Sequence, residues 1–204
     1  MHYMNKLLGF FELKNSLLPT IPWNQFFEDT ILDKSCLWTI RSAVIEGNDL
    51  NLPRLVGAEA EEAMEFAQDL IRKLSDKGMV IYYPYFIAEK SGTLEVKTES
   101  ILIEAVKDDL WNLVTFSDRA VTMYFADVYD TSGTTHWING DSGFLSNKEV
   151  MELRKQVTRI RAMFRDYLTE GKSVLLEWSY AYTCDINRNK IGNKYLVFYE
   201  ARTI

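Results

Sequence analysis

A chain of 204 residues with 47% hydrophobic and 25% charged side chains can bury one large core or two small subdomains sharing one, which excludes a disordered or low-complexity protein. Its net charge of −6 argues against a nucleic-acid partner, because phosphate backbones are held by concentrated positive charge. Cys36 and Cys184 lie far apart without metal-type spacing, and the apolar start is cut by Lys6, Glu12 and Lys14, so a reduced, cytoplasmic protein with no membrane partner is expected.

No repeat or flexible linker divides the chain, so any subdomain boundary is tight. Residues 1–78 read as a helix-rich N-terminal subdomain that includes a strand around Arg41, and 79–204 as a second subdomain. A helix is predicted at 58–77, with Ala63, Phe66, Ala67, Leu70, Ile71 and Leu74 on one stripe and Gly78 as its stop. Short strands follow at 79–87, 92–97, 100–106, 112–116 and 120–127, an antiparallel meander by default. Pro84 lacks the N–H that a central strand donates, so its segment reads as an edge or a connector. A second long helix starts at Ser146, where Glu149 completes capping-box spacing, and runs to Gly171, about 24 residues. From 146 to 172 there are seven basic residues against four acidic ones, which leaves −9 on the rest of the chain. Such a face is either solvated or docks an anionic ligand or partner. Strands at 173–182 and 194–203, joined by the turn-rich 185–193, read as a closing hairpin. The expected class is α+β, a largely antiparallel sheet with two long helices.

The hairpin carries the most chemistry. Read with period two, its first strand puts Leu176, Trp178, Tyr180 and Tyr182 on one face and Leu175, Glu177, Ser179 and Ala181 on the other, which could floor a groove. The same sorting groups Leu196, Phe198, Glu200 and Arg202 on the partner strand. A turn centred near Arg188 and Asn189 sets Glu177 opposite Glu200. Two carboxylates that close repel unless a cation sits between them, and hard oxygen ligands suit magnesium carrying nucleotide phosphates, with Arg202 neutralising a phosphate. The same residues equally make a cross-strand ion pair on a wet face, worth under about 1 kcal/mol, and spacing leaves both readings open.

Residues 176–181 (LEWSYA) followed by 194–204 (KYLVFYEARTI) resemble the closing "IEWA…LYLLQARPI" of the nucleotide-binding domain of the phosphoenolpyruvate synthase and pyruvate phosphate dikinase family, a variant of the ATP-grasp fold. Residues 38–43 (WTIRSA) with Asp49, Leu52 and Pro53 resemble "VAVRSSA…EDLP", 87–94 (IAEKSGTL) resemble "PAEKSGVLF", and 101–106 (ILIEAV) resemble "IVIEAV". Together these pieces span roughly residues 37 to 204. The resemblance implies ATP and Mg as cofactors. It implies a phosphate contact and catalytic role for Arg41 and Arg202, metal contacts for Glu177 and Glu200, and adenine contacts along Tyr83, Pro84 and Tyr85. The sequence departs from the family at several points: no glycine-rich lid like "GGKGANL" is recognisable in residues 1–36, where Lys6 and Lys14 are weak substitutes. Glu200 and Tyr83 each stand in place of a glutamine, and Thr203 in place of a proline. Neither His2 nor His136 sits in a phosphohistidine-like stretch, so the resemblance implies a partner protein that supplies the phosphate acceptor. Three functions follow as expectations: a phosphotransferase or ligase unit, a nucleotide sensor or inhibitor without turnover, and an interaction module that keeps the fold.

Overall fold

The computed structural model describes residues 3–47, 52–110, 119–126 and 137–204. The strand expected at 112–116, Asp49 and both histidines lie outside these residues.

Two helix-on-sheet layers make up the described fold. The first is a four-stranded antiparallel sheet of order β1-β4-β2-β3, made by β1 (Asn24–Gln25), β2 (Trp38–Val44), β3 (Arg54–Ala58) and β4 (Gly78–Pro84). Its outer face packs on helix α2 (Ala60–Leu74), where Ala63, Ala67 and Leu70 meet Trp38, Ile40 and Val80. The second is a six-stranded antiparallel sheet of order β10-β9-β5-β6-β7-β8. It comprises β5 (Phe86–Val96), β6 (Ile101–Lys107), β7 (Val121–Phe125), β8 (Trp137–Gly140), β9 (Val174–Cys184) and β10 (Lys190–Thr203). Its outer face packs on helices α3 (Asn147–Met163) and α4 (Arg165–Thr169), through Leu153, Val157, Ile160, Phe164 and Leu168. Period-two sorting is what makes this possible, since Leu176 and Trp178 point to the helices while Glu177 and Ser179 point the other way. The inner faces of the sheets meet over a third cluster that includes Phe10, Trp23, Ile81, Val197 and Tyr199. This α+β architecture, largely antiparallel with α2 and α3 as its long helices, is the class read from the sequence.

The N-terminal helix α1 (Lys6–Lys14) lies against the last strand. It can approach this closely because of Gly9, where a Cβ would stand 1.9 Å from the Ala201 carbonyl oxygen. Two further ties fix its start: Met4 N–H donates to Thr203 Oγ1 at 2.9 Å, and the Asn5 side chain caps the helix at Leu8 while its Nδ2 donates to Val44 O and Ile45 O.

Several boundaries differ from the sequence reading. The strand expected at 79–87 is two strands in two sheets: Trp38 pairs with Pro84 in the first sheet, and Phe86 pairs with Thr183 in the second. β4 is an interior strand, yet β1 covers it only at Ile81 and Tyr82, so Pro84 ends the strand where no neighbour needs its missing N–H. Pro84 and Tyr85 are thus the connector. The gap expected between 87 and 92 is absent because a bulge between Ala88 and Lys90 carries β5 straight through. Helix α2 stops at Leu74, and Ser75, not the expected stop Gly78, takes the positive φ of 50° at its end. Gly78 is extended, and a Cβ there would meet Ala43 O at 2.5 Å. The capping box at Ser146 and Glu149 forms as read, but the helix it opens breaks at buried Phe164 instead of running unbroken to Gly171. Among the described residues no helix is long and apolar enough to cross a membrane.

Candidate functional site

The inner faces of the two sheets diverge around the Pro84–Tyr85 connector and enclose a cavity of about 560 Å³. β2 contributes Thr39 and Arg41, β4 contributes Tyr83, the connector contributes Tyr85, β9 contributes Glu177 and Ser179, and β10 contributes Tyr199 and Arg202. Of the residues singled out from the sequence, Arg41, Tyr83, Tyr85, Glu177 and Arg202 line this one space. Pro84 and Glu200 do not: Pro84 is exposed at the strand end, and Glu200 lies beneath the floor with 1% of its surface exposed.

Glu177 and Glu200 are cross-strand partners, as the turn-centred register implied, but a different route brings them together. The hairpin turns at 185–189, tighter than expected, and two register shifts in β10 restore the pairing, one between Ile191 and Tyr195 and one between Phe198 and Glu200. The second shift overturns the expected grouping of Leu196, Phe198, Glu200 and Arg202 on one face. Leu196 and Phe198 enter the core against α3 and α4, whereas Tyr199 and Arg202 line the cavity. Without that extra residue the strand would drive the Glu200 carboxylate into the apolar core.

Glu200 instead meets two cations. Arg41 Nη2 donates to Glu200 Oε2 at 2.6 Å, and Lys6 Nζ lies 3.1 Å from Oε1, which lacks an aligned hydrogen-bond donor. Burial by itself would raise the carboxyl pKa, but Arg41 and Lys6 together hold it below the ordinary value, so Glu200 is ionised. Burial would likewise strip the charge from Arg41, and the Glu200 carboxylate foremost outweighs that, keeping the guanidinium charged. Glu177 behaves oppositely. Burial first, and then the charge of Glu200, push its carboxyl up to about 7, against the pull of Arg41, Lys6 and Arg202. The pair therefore holds one firm negative charge and one carboxyl poised near neutrality. Arg202 completes the group, and its Nε is buried without a hydrogen-bond partner.

The wall beside these charges is aromatic. Tyr83 stacks on Phe86 at 6.3 Å between ring centroids, and Phe86 meets Tyr199 at 6.0 Å. The hydroxyl groups of Tyr83 and Tyr199 are kept neutral by burial, which raises both pKa values. At the far end Ser91 Oγ donates to Asp108 O at 2.6 Å and bonds Ser179 Oγ at 2.8 Å, so the opposite wall is also tied together. The tip of the β9–β10 hairpin reaches back across the connector, where Arg188 Nη2 donates to Gly57 O at 3.0 Å.

Among the lining residues that sequence reasoning missed are Arg54, Asp108, Asp109 and Tyr199. Lys6, considered only as a weak substitute, lies in the site, whereas Lys14 stacks over Trp23 and donates to its carbonyl oxygen. A signal for Lys6 was present, since a cation opening an apolar helix needs an anionic neighbour. Tyr199 carried none, because a period-two count sends it to the wrong face.

No family model matches the chain, and no curated protein matches it. Among solved structures it is similar to an L-amino acid ligase from Bacillus licheniformis, with 13% identity and a TM-score of 0.49 over 97% of this chain and 39% of that one. The chain thus spans about two-fifths of the length of that enzyme, and a likeness at this level carries neither family nor chemistry across.

Proposed function

We propose that this chain binds ATP as its magnesium complex in the cleft between the two sheets, as an ATP-grasp-like unit of phosphotransferase or ligase type that works with a partner. The observation that carries this reading is the convergence of four cations, Lys6, Arg41, Arg54 and Arg202, on one cavity. Guanidinium groups pair with phosphate oxygens through short, charge-assisted hydrogen bonds, so a cluster of this kind suits a phosphate chain. The aromatic run Tyr83, Phe86 and Tyr199 offers a base a flat apolar wall beside the connector. That combination matches the role that the phosphoenolpyruvate synthase resemblance implies for Arg41, Arg202 and the Tyr83–Tyr85 segment.

Magnesium suits the oxygen donors of the site. Among the described residues no group of three or more His, Cys, Asp or Glu could hold a metal by itself, so a tightly caged ion is not the fitting occupant. Magnesium is commonly held by one or two carboxylates together with substrate phosphates and water. Glu177 would hold it, with Glu200 behind. When bound, the ion supplies positive charge to the phosphate oxygens. The chain's own cations orient the phosphates, and the buried aromatic wall keeps water from the base. We place the phosphate acceptor on a partner protein, because neither histidine of the sequence lies in a phosphohistidine-like stretch.

Millimolar Mg–ATP is expected to raise the melting temperature. Occupancy at 100 times Kd contributes about 2.7 kcal/mol, roughly 5 to 11 °C for a chain of this size. Absence of any shift, with magnesium present, sinks the reading.

A further inference from the structure

The cleft is close to electroneutral, and one buried residue makes it so. Lys6, Arg41, Arg54 and Arg202 line the cavity as cations. Asp108, Asp109 and Glu177 line it as carboxylates, and Glu200 adds a fourth negative charge from below. Glu200 acts on two of the four cations at contact distance, at 2.6 Å from Arg41 and 3.1 Å from Lys6. It is 1% exposed, so water screens little of that attraction. A bare polyphosphate entering this space finds Arg41 and Lys6 already neutralised and meets the carboxylates of the opposite wall as like charges. A polyphosphate that brings a divalent cation carries less negative charge and gives Glu177 a partner.

Resting on the nucleotide reading, we propose that Glu200 determines the form of ligand that the cleft accepts, admitting a polyphosphate only as its divalent-metal complex because it neutralises Lys6 and Arg41 from beneath. Glu200 is therefore a specificity-determining residue that acts through two others and does not touch the ligand. Its place on β10 depends on the bulge after Phe198, which directs it away from the core and under the two cations.

The test is calorimetric titration of the full chain at fixed ionic strength with Mg–ATP, with ATP in EDTA and with pyrophosphate in EDTA, for the wild type, Glu200→Gln and Lys6→Gln. The wild type should bind Mg–ATP at least about tenfold tighter than ATP in EDTA, where tenfold corresponds to about 1.4 kcal/mol. Glu200→Gln should bind both metal-free probes about tenfold or more tighter than the wild type does. Equal wild-type affinity with and without magnesium overturns the proposal while leaving the nucleotide reading intact, and so does a folded Glu200→Gln chain with unchanged metal-free affinity. Failure of the wild type to bind Mg–ATP overturns both. Should Glu200→Gln not fold, Lys6→Gln decides, since it removes a cation from a neutral cleft and should weaken metal-free binding several-fold more than Mg–ATP binding. Equal loss for the two probes refutes the charge balance.

Discussion

Replacing Glu177 with glutamine should stabilise the protein at alkaline pH while removing its magnesium contact. In the folded chain burial and the Glu200 charge push the Glu177 carboxyl from its usual 4.5 up to about 7. Between those values the folded state holds a proton that the unfolded state has released. The sign follows from linkage: the contribution is fully present below pH 4.5, falls as pH rises, and is gone above about pH 7. Moving a carboxyl over that interval, at about 1.4 kcal/mol per pH unit, amounts to about 3 kcal/mol, or roughly 6 to 12 °C in Tm for a chain of this length. Glu200 titrates in the opposite sense and below 4.5, so its window lies outside the one that tests Glu177. Urea unfolding at pH 5, 6, 7 and 8 checks the effect. The wild type should lose stability across the series, and Glu177→Gln should stay level and exceed the wild type by up to about 3 kcal/mol at pH 8. Parallel curves for the two proteins would refute the like-charge argument and with it the poised carboxyl. The same substitution should weaken Mg–ATP binding, so one residue should trade stability against function.

Glu149→Gln should do the reverse, because Lys90, Lys194 and the Ser146 cap outweigh burial and hold that carboxyl at about 2. Its contribution of about 3 kcal/mol is present above the usual 4.5 and disappears toward pH 2, so the Tm gap between variant and wild type should close as the pH is lowered through that range. Gly9→Ala should lift α1 from Ala201 and destabilise by about 1–3 kcal/mol, read by urea unfolding, with Lys6 drawn away from Glu200. The isolated chain should turn ATP over slowly, below about 0.1 s⁻¹ against the usual range of about 1 to 1000 s⁻¹, because Arg41 and Lys6 are committed to Glu200. Release of ADP and phosphate measures this, and rapid release abolished by Glu177→Gln would remove the need for a partner and the sensor reading alike.

Much of the site was legible because its residues sit on regular strands. Glu177 and Ser179 alternate with Leu176 and Trp178, so the polar face of β9 could be read by counting, whereas Arg41 entered only through the resemblance of residues 38–43. The helix stripe of α2 and the Ser146–Glu149 box are local signals, and both formed. What was not legible depends on extra residues or on partners distant in sequence. A bulge changes the parity of every later residue, and nothing in 194–204 marks where the count slips. The sheet switch at Tyr85 was hidden for a related reason: residues 79–87 are uniformly β-prone, and only the different partners of Trp38 and Thr183 divide them. Lys6 joins the site from the far end of the chain, 194 residues from Glu200, through the close approach that Gly9 allows.

Arg41 and Glu200 pose a final energetic question. A buried ion pair is weak evidence for stability, since replacing both partners with well-packed apolar groups is often neutral or stabilising by about 1–4 kcal/mol. Removing one partner alone is costly, about 3–5 kcal/mol, because it strands the other charge. The pair is therefore hard to lose by single steps and yet poorly explained by stability. Position explains it better: Lys6 comes from α1, Arg41 from the first sheet and Glu200 from the second, and the three meet at the cavity floor. A carboxylate held between those elements registers the two sheets against each other at the point where the ligand would lie. If that registration is its role, replacing Arg41 and Glu200 together by Met and Leu should leave the melting temperature within a few degrees of the wild type and abolish Mg–ATP binding. A double variant that binds Mg–ATP normally would refute the registration role.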